Sequence, residues 1–187
     1  DFLPEGGLLI TERAGTLWHV KPDGSRVAVT GVPEVADSGQ GGLLDVTLPR
    51  DFADSRTVLL TYAKPQDGGG AGTALASGVL STDGSSLSDV QVLFEMKPGN
   101  QGGRHFGSRV VEGADGALFV TMGDRGQGPL AQDLNQHNGK VVRVMRDGSV
   151  PSDNPFAGQA DALPDIWSFG HRNVQGLYYD TATDTLY

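Results

Sequence analysis

Two glycine-rich loops of this 187-residue chain each carry a histidine among planar hydrogen-bonding side chains. The first is Gly99-Asn100-Gln101-Gly102-Gly103-Arg104-His105-Phe106-Gly107. The second is Gly170-His171-Arg172-Asn173-Val174-Gln175-Gly176. Glycine lets a backbone approach a ligand closely, and arginine and amide side chains supply the donors that read it. A third element, Gly123-Asp124-Arg125-Gly126, directly follows the apolar run Ala117–Met122. An acid there can orient a histidine and stabilise its imidazolium, which is the support a general base needs. Taken singly, each has a plainer reading: histidines that pack loops, and an aspartate in a turn. The other two histidines carry less. His19, between Trp18 and Val20, reads as structural or exposed, and His137, before Asn138-Gly139, reads as a turn residue.

The elements that must position these loops are strands. Apolar runs are short, rich in Val, Leu, Ile, Tyr and Phe, and punctuated by Gly, Asp-Gly and Pro. They place strands at Leu8–Thr11, Thr16–Val20, Val27–Thr30, Leu43–Leu48, Thr57–Ala63, Thr73–Ser81, Val90–Phe94, Ser108–Val111, Ala117–Met122, Lys140–Met145, Ile166–Phe169 and Leu177–Tyr179. Turn signals separate them, at Asp23-Gly24-Ser25, Asp83-Gly84-Ser85, Asn138-Gly139 and Asp147-Gly148-Ser149. No window shows a 3.6-residue period, so no long helix is expected, and at most a short helical turn near Leu130–Asn135.

Such a pattern fits an all-β sandwich or barrel, but an internal repeat points elsewhere. Glu5-Gly6-Gly7-Leu8-Leu9-Ile10-Thr11 resembles Asp115-Gly116-Ala117-Leu118-Phe119-Val120-Thr121, with looser copies at Ser55–Thr61 and Thr183–Tyr187. One three- or four-stranded unit every 50 to 70 residues is the signature of β-propeller blades. At roughly 50 residues per blade the chain holds three to four, and propellers close with about four to eight. The sequence is therefore expected to be part of a single propeller domain, 1–187, cut at both ends. It begins Asp1-Phe2-Leu3-Pro4, with no initiator Met and no visible signal peptide.

Composition removes other classes. The net charge of −9 argues against nucleic acid or an anionic membrane as main partner. There is no cysteine, so disulfides and thiol nucleophiles are excluded. No apolar run reaches the ~18 residues of a membrane span.

The order His105, a strand pair, Gly123-Asp124, then Gly170-His171-Arg172-Asn173-Val174-Gln175-Gly176-Leu177 resembles the soluble PQQ-dependent aldose sugar dehydrogenases of the glucose/sorbosone dehydrogenase family. Gly39-Gln40-Gly41-Gly42-Leu43-Leu44-Asp45 with Pro49-Arg50-Asp51-Phe52, and Gly139-Lys140-Val141-Val142-Arg143 leading to Asp147–Pro151 and Asp153-Asn154-Pro155-Phe156, are similar too. The resemblance implies a six-bladed propeller of four-stranded antiparallel blades, with PQQ in a cleft near the axis. It implies oxidation of an aldose's anomeric hydroxyl to a lactone, with hydride passing to PQQ and electrons to an external acceptor. By the same resemblance His105 is the general base, Asp124 its acid partner and Arg172 the cation beside the reactive quinone. Asn173 and Gln175 are cofactor contacts, and Gln40 lies near the substrate. Ca²⁺ is implied at the cofactor, through groups beyond Tyr187, as is a periplasmic or secreted location. Arg104 departs from the pattern: glucose-specialised members carry an acid there, which puts tight glucose selectivity in doubt. Two rivals are a non-catalytic propeller that binds a protein or glycan, and a metal-dependent propeller lactonase, for which no matching Glu/Asn/Asp set is found.

Overall fold

The run Thr57-Val58-Leu59-Leu60-Thr61-Tyr62-Ala63 lacks polar–apolar alternation because its strand is covered on both faces. In the computed structural model, which describes residues 1–187, Val58, Leu60 and Tyr62 pack with Leu9, Leu17 and Val29 of the preceding sheet. Leu59, one position along, packs the other way, with Val110, Leu118, Val120 and Val142 of the following sheet. Side chains alternate across a strand, so a period of two divides the strand between two cores.

Thirteen strands run in chain order: β1 Leu8–Glu12, β2 Thr16–Val20, β3 Arg26–Val29, β4 Leu43–Thr47, β5 Thr57–Pro65, β6 Ala71–Leu80, β7 Leu87–Glu95, β8 Gly107–Glu112, β9 Leu118–Met122, β10 Lys140–Val144, β11 Ile166–Phe169, β12 Tyr179–Asp180 and β13 Thr185–Leu186. They form antiparallel sheets β1-β2-β3, β4-β5-β6-β7, β8-β9-β10-β11 and β12-β13. The first strands of the two complete sheets, β4 and β8, touch each other, and β4 also touches β1. This is an incomplete β-propeller with two full four-stranded blades and parts of two more; the sandwich and the closed barrel are both set aside.

The repeat marks the second strand of a blade. It falls on β5, β9 and β13, and on β1, which carries the single bridge Phe2–Leu8 on its side away from β2. The Asp-Gly-Ser turns work as their residue types require: the Asp23, Asp83 and Asp147 carboxylates each accept the amide and hydroxyl of the serine two residues on.

Differences are local. Helix α1 (Phe52–Ser55) is a single turn, too short to show a period, and it buries Phe52 and closes on Arg56 at φ 52°. The expected helical turn near Leu130–Asn135 is a 3₁₀ turn at Gly128–Gln132. The last expected strand, Leu177–Tyr179, is displaced to Tyr179–Asp180, where it pairs with Thr185–Leu186.

Candidate active site

Strand register places the site. β8 pairs with β9 antiparallel, with Gly107 opposite Met122. Continuing that register by two residues sets His105 opposite Asp124. The next two pairings extend the row: Gly139 donates its amide to the Gly123 carbonyl, and the His171 amide donates to the Gly139 carbonyl. One end of this blade therefore lines up the first loop, the Gly-Asp-Arg-Gly turn, Asn138 and the second loop.

His105 Nδ1 lies 2.7 Å from Asp124 Oδ1. Asp124 is buried, at 5% exposure, and the His105 side chain is 13% exposed. The ring's other nitrogen, Nε2, has no protein partner, so the aspartate fixes one side of the imidazole and leaves the other to a ligand. The same Oδ1 accepts the Gly126 amide at 2.7 Å. Asp124's amide donates to the Arg172 carbonyl at 2.8 Å, and its carbonyl accepts from Asn138 Nδ2 at 3.0 Å.

His105 sits at φ 59°, a left-handed conformation that non-glycine residues adopt mainly at special sites. Gly123 makes room for it. A Cβ there would fall 1.8 Å from the His105 carbonyl oxygen, so only glycine allows this approach. The His105 amide donates to Gln40 Oε1 at 2.8 Å, and the Gly107 amide to Asn173 Oδ1 at 3.0 Å.

The structure thus gathers Gln40, His105, Asp124, Asn173 and the backbone of Arg172. The Gln40 and Asn173 oxygens are spent on backbone amides beside the histidine, which leaves their –NH₂ groups for a ligand. The Arg172 side chain is exposed and unpaired. Gln175 stands further off, in a cleft of about 180 Å³ with Leu44, Asp45, Gly107, Ser108 and Arg109. A cleft of about 260 Å³ behind the first loop is lined by Phe106 and Arg125 and not by His105, so it is separate from the His–Asp pair.

Four residues read from sequence as loop chemistry, or passed over, have structural work. His137 is no simple turn residue: it is buried, Nδ1 accepts the Lys97 amide at 3.0 Å, Nε2 meets the Asp165 carboxylate at 3.1 Å, and the ring abuts Phe94 edge-on. His171 Nε2 lies 2.8 Å from the Ser168 hydroxyl; burial, and then the Lys140 charge, hold this imidazole below its ordinary range. Lys140 is fully buried and donates to the carbonyls of Leu130, Ala131 and Asn138, and burial pushes its ammonium down to about 8. Arg125, 2% exposed, binds the back of the first loop.

The sequence model of the family described as Glucose / Sorbosone dehydrogenase matches residues 1–187. The chain belongs to the glucose/sorbosone dehydrogenase family. Within it, the chain is 44% identical over 188 residues to the aldose sugar dehydrogenase YliI of Escherichia coli, covering 100% of this chain and 51% of that protein. It is 29% identical to quinoprotein glucose dehydrogenase B of Acinetobacter calcoaceticus, covering 94% of this chain and 42% of that protein. A solved glucose dehydrogenase superposes with a TM-score of 0.95 at 44% identity, covering 100% of this chain and 59% of that one. The PQQ-bound aldose sugar dehydrogenase of Streptomyces coelicolor gives 0.84 at 31%, covering 98% and 53%. The chain spans about half the length of these curated family members.

Proposed function

We propose that the full-length protein is a PQQ-dependent aldose dehydrogenase that oxidises the anomeric hydroxyl of a sugar to a lactone and passes the electrons to an external acceptor. The observation that carries this reading is the contact of His105 Nδ1 with buried Asp124, with Nε2 left free.

The charge distribution fits an anionic planar group. In a chain of net charge −9, Arg13, Arg50, Arg56, Arg109, Arg143 and Arg146 each pair with a carboxylate. Of the four that do not, Arg26 lies over the Trp18 ring, and Arg104, Arg125 and Arg172 lie in or beside the two loops and the Asp124 turn. Arg172 can meet the cofactor with a planar, permanently charged donor pair, and Asn173 Nδ2 adds a neutral donor. PQQ, when bound, supplies the two-electron acceptor for the hydrogen on the anomeric carbon. His105 Nε2 takes the hydroxyl proton, and Asp124 holds the Nδ1 proton and balances the imidazolium. Arg172 opposes negative charge that develops toward it. No group of three or more His, Asp or Glu side chains is arranged to hold a metal ion among these residues, so Ca²⁺ is assigned no ligand here.

The test is optical. The full-length protein, reconstituted with PQQ and Ca²⁺, is expected to show a bound-quinone absorbance band that bleaches when an aldose is added. A band that forms and stays unbleached with a panel of aldoses would leave a non-catalytic binding propeller as the better account.

A further inference from the structure

Arg125 is a buried cation whose guanidinium meets carbonyls rather than a carboxylate. Nη1 donates to the Arg104 carbonyl at 2.6 Å and Nη2 to the Gly102 carbonyl at 2.5 Å, with a longer contact to Ala71 at 3.4 Å. Its Cζ lies over the Phe106 ring, 3.4 Å from the centroid. Every one of these contacts except Ala71 falls on residues 102–106, the five that carry His105. Nε has no partner, so the side chain is not placed there by a fully satisfied bonding network. Its own backbone is left-handed, at φ 57°, one residue after the Asp124 that holds the histidine ring.

His105 needs such a hold. Its left-handed backbone is unfavourable for a residue with a Cβ and persists only where the surroundings enforce it. From the front, Gln40 and Asn173 bind the His105 and Gly107 amides. From behind, Arg125 binds the Gly102 and Arg104 carbonyls, while the Gly103 carbonyl between them accepts the Gln40 amide at 2.7 Å. We propose that Arg125 is a positioning residue for His105: its guanidinium clamps the Gly102 and Arg104 carbonyls and the Phe106 ring, fixing the loop backbone so that the imidazole reaches Asp124. The assignment of His105 as base rests on the function proposed above, but the clamp itself does not. Arginine suits the task because one rigid plane delivers two parallel donors and stacks on a ring, which a lysine ammonium cannot do. The charge is kept: burial pushes Arg125 down to about 10, with Asp124 opposing, so it stays protonated at neutral pH.

The test uses the full-length protein in two states. In the PQQ-loaded enzyme, Arg125→Met is expected to lower kcat at least tenfold with KM within about threefold, since a small misplacement of a base can cost up to ~10² in rate. Arg125→Lys is expected to lie between. In the cofactor-free protein, the hydrogen-bonded imidazole N–H proton of His105, assigned by its loss in His105→Ala, is followed by NMR. It is expected to be sharp in the wild type, broadened in Arg125→Lys and absent in Arg125→Met. Variants that fold with a sharp His105 signal and kcat within twofold of wild type overturn the clamp, whatever their melting temperatures. If Arg125→Met does not fold, Arg125→Lys decides by the same two readouts. If His105→Ala retains turnover, the base assignment fails while the NMR signal still judges the clamp.

Discussion

The single carboxylate oxygen Asp124 Oδ1 stands 2.7 Å from His105 Nδ1 and accepts the Gly126 amide at the same distance. The acid is thereby fixed by its own turn before it orients the histidine. In the full-length holoenzyme, His105→Ala is expected to lower kcat by at least ~10², the scale of lost general-base catalysis, with PQQ affinity little changed. Asp124→Asn should fall between wild type and His105→Ala. Arg172→Ala should weaken PQQ binding as well as turnover. Stopped-flow reduction of the quinone, alongside a PQQ titration, separates the three.

Gln40 divides its amide between two tasks, which substitution can separate. Gln40→Glu keeps an oxygen for the His105 amide and loses the –NH₂. It is expected to raise KM for sugar with kcat within a few-fold of wild type. Gln40→Leu also orphans the amide, so kcat should fall at least tenfold, a rise of about 1.4 kcal/mol in the barrier. Steady-state kinetics on both variants give the comparison.

Gly123→Ala places a methyl 1.8 Å from the His105 carbonyl oxygen and within 2.9 Å of its Cα. The neighbour is backbone and cannot swing aside. Overpacking of this kind costs typically about 1–3 kcal/mol, and here the displaced group carries the proposed base. A lower urea midpoint together with a fall in kcat of more than tenfold is expected; a variant losing stability alone would show that the loop can shift without moving the imidazole.

His171 links stability to pH. Its imidazole is held below the ordinary range by burial and then by Lys140. The unfolded chain therefore binds its proton more readily than the folded one as pH falls through about 6.5, and stability drops there, levelling off below the folded-state value. Urea unfolding at pH 7.5 and 5.5 is expected to show a drop in the wild type that is smaller in His171→Gln. An equal drop in both would remove His171 as its source.

Strands and blade repeat were legible because the chemistry that makes them is local: β-branched and aromatic runs, closed by Asp-Gly-Ser turns whose carboxylates bond the next serine. The site was legible in part, through the 19-residue interval between His105 and Asp124. That interval is one hairpin, β8 and β9, plus two residues at each end. Two kinds of residue escaped. Helix α1 was too short to show periodicity, and Arg125 looked like any loop cation, since nothing in sequence marks an arginine that binds only carbonyls. Gln40 and Asn173 read in the sequence only as ligand contacts; their oxygens also bond backbone amides, a use visible only once residues 65 and 66 positions apart are adjacent.

Strand β5 gives Val58, Leu60 and Tyr62 to one neighbouring sheet and Leu59 to the other. An opening fluctuation that frees its amides must therefore break two interfaces at once, whereas one that frees β2 breaks only the first. In arrays where each unit touches only its neighbours, local opening becomes harder toward the interior. Amide exchange should accordingly be slowest along β5 and β6 within this chain. A lesion in that sheet would loosen both flanking blades, including the one whose end carries His105 and Asp124, and so reach the candidate site without touching it.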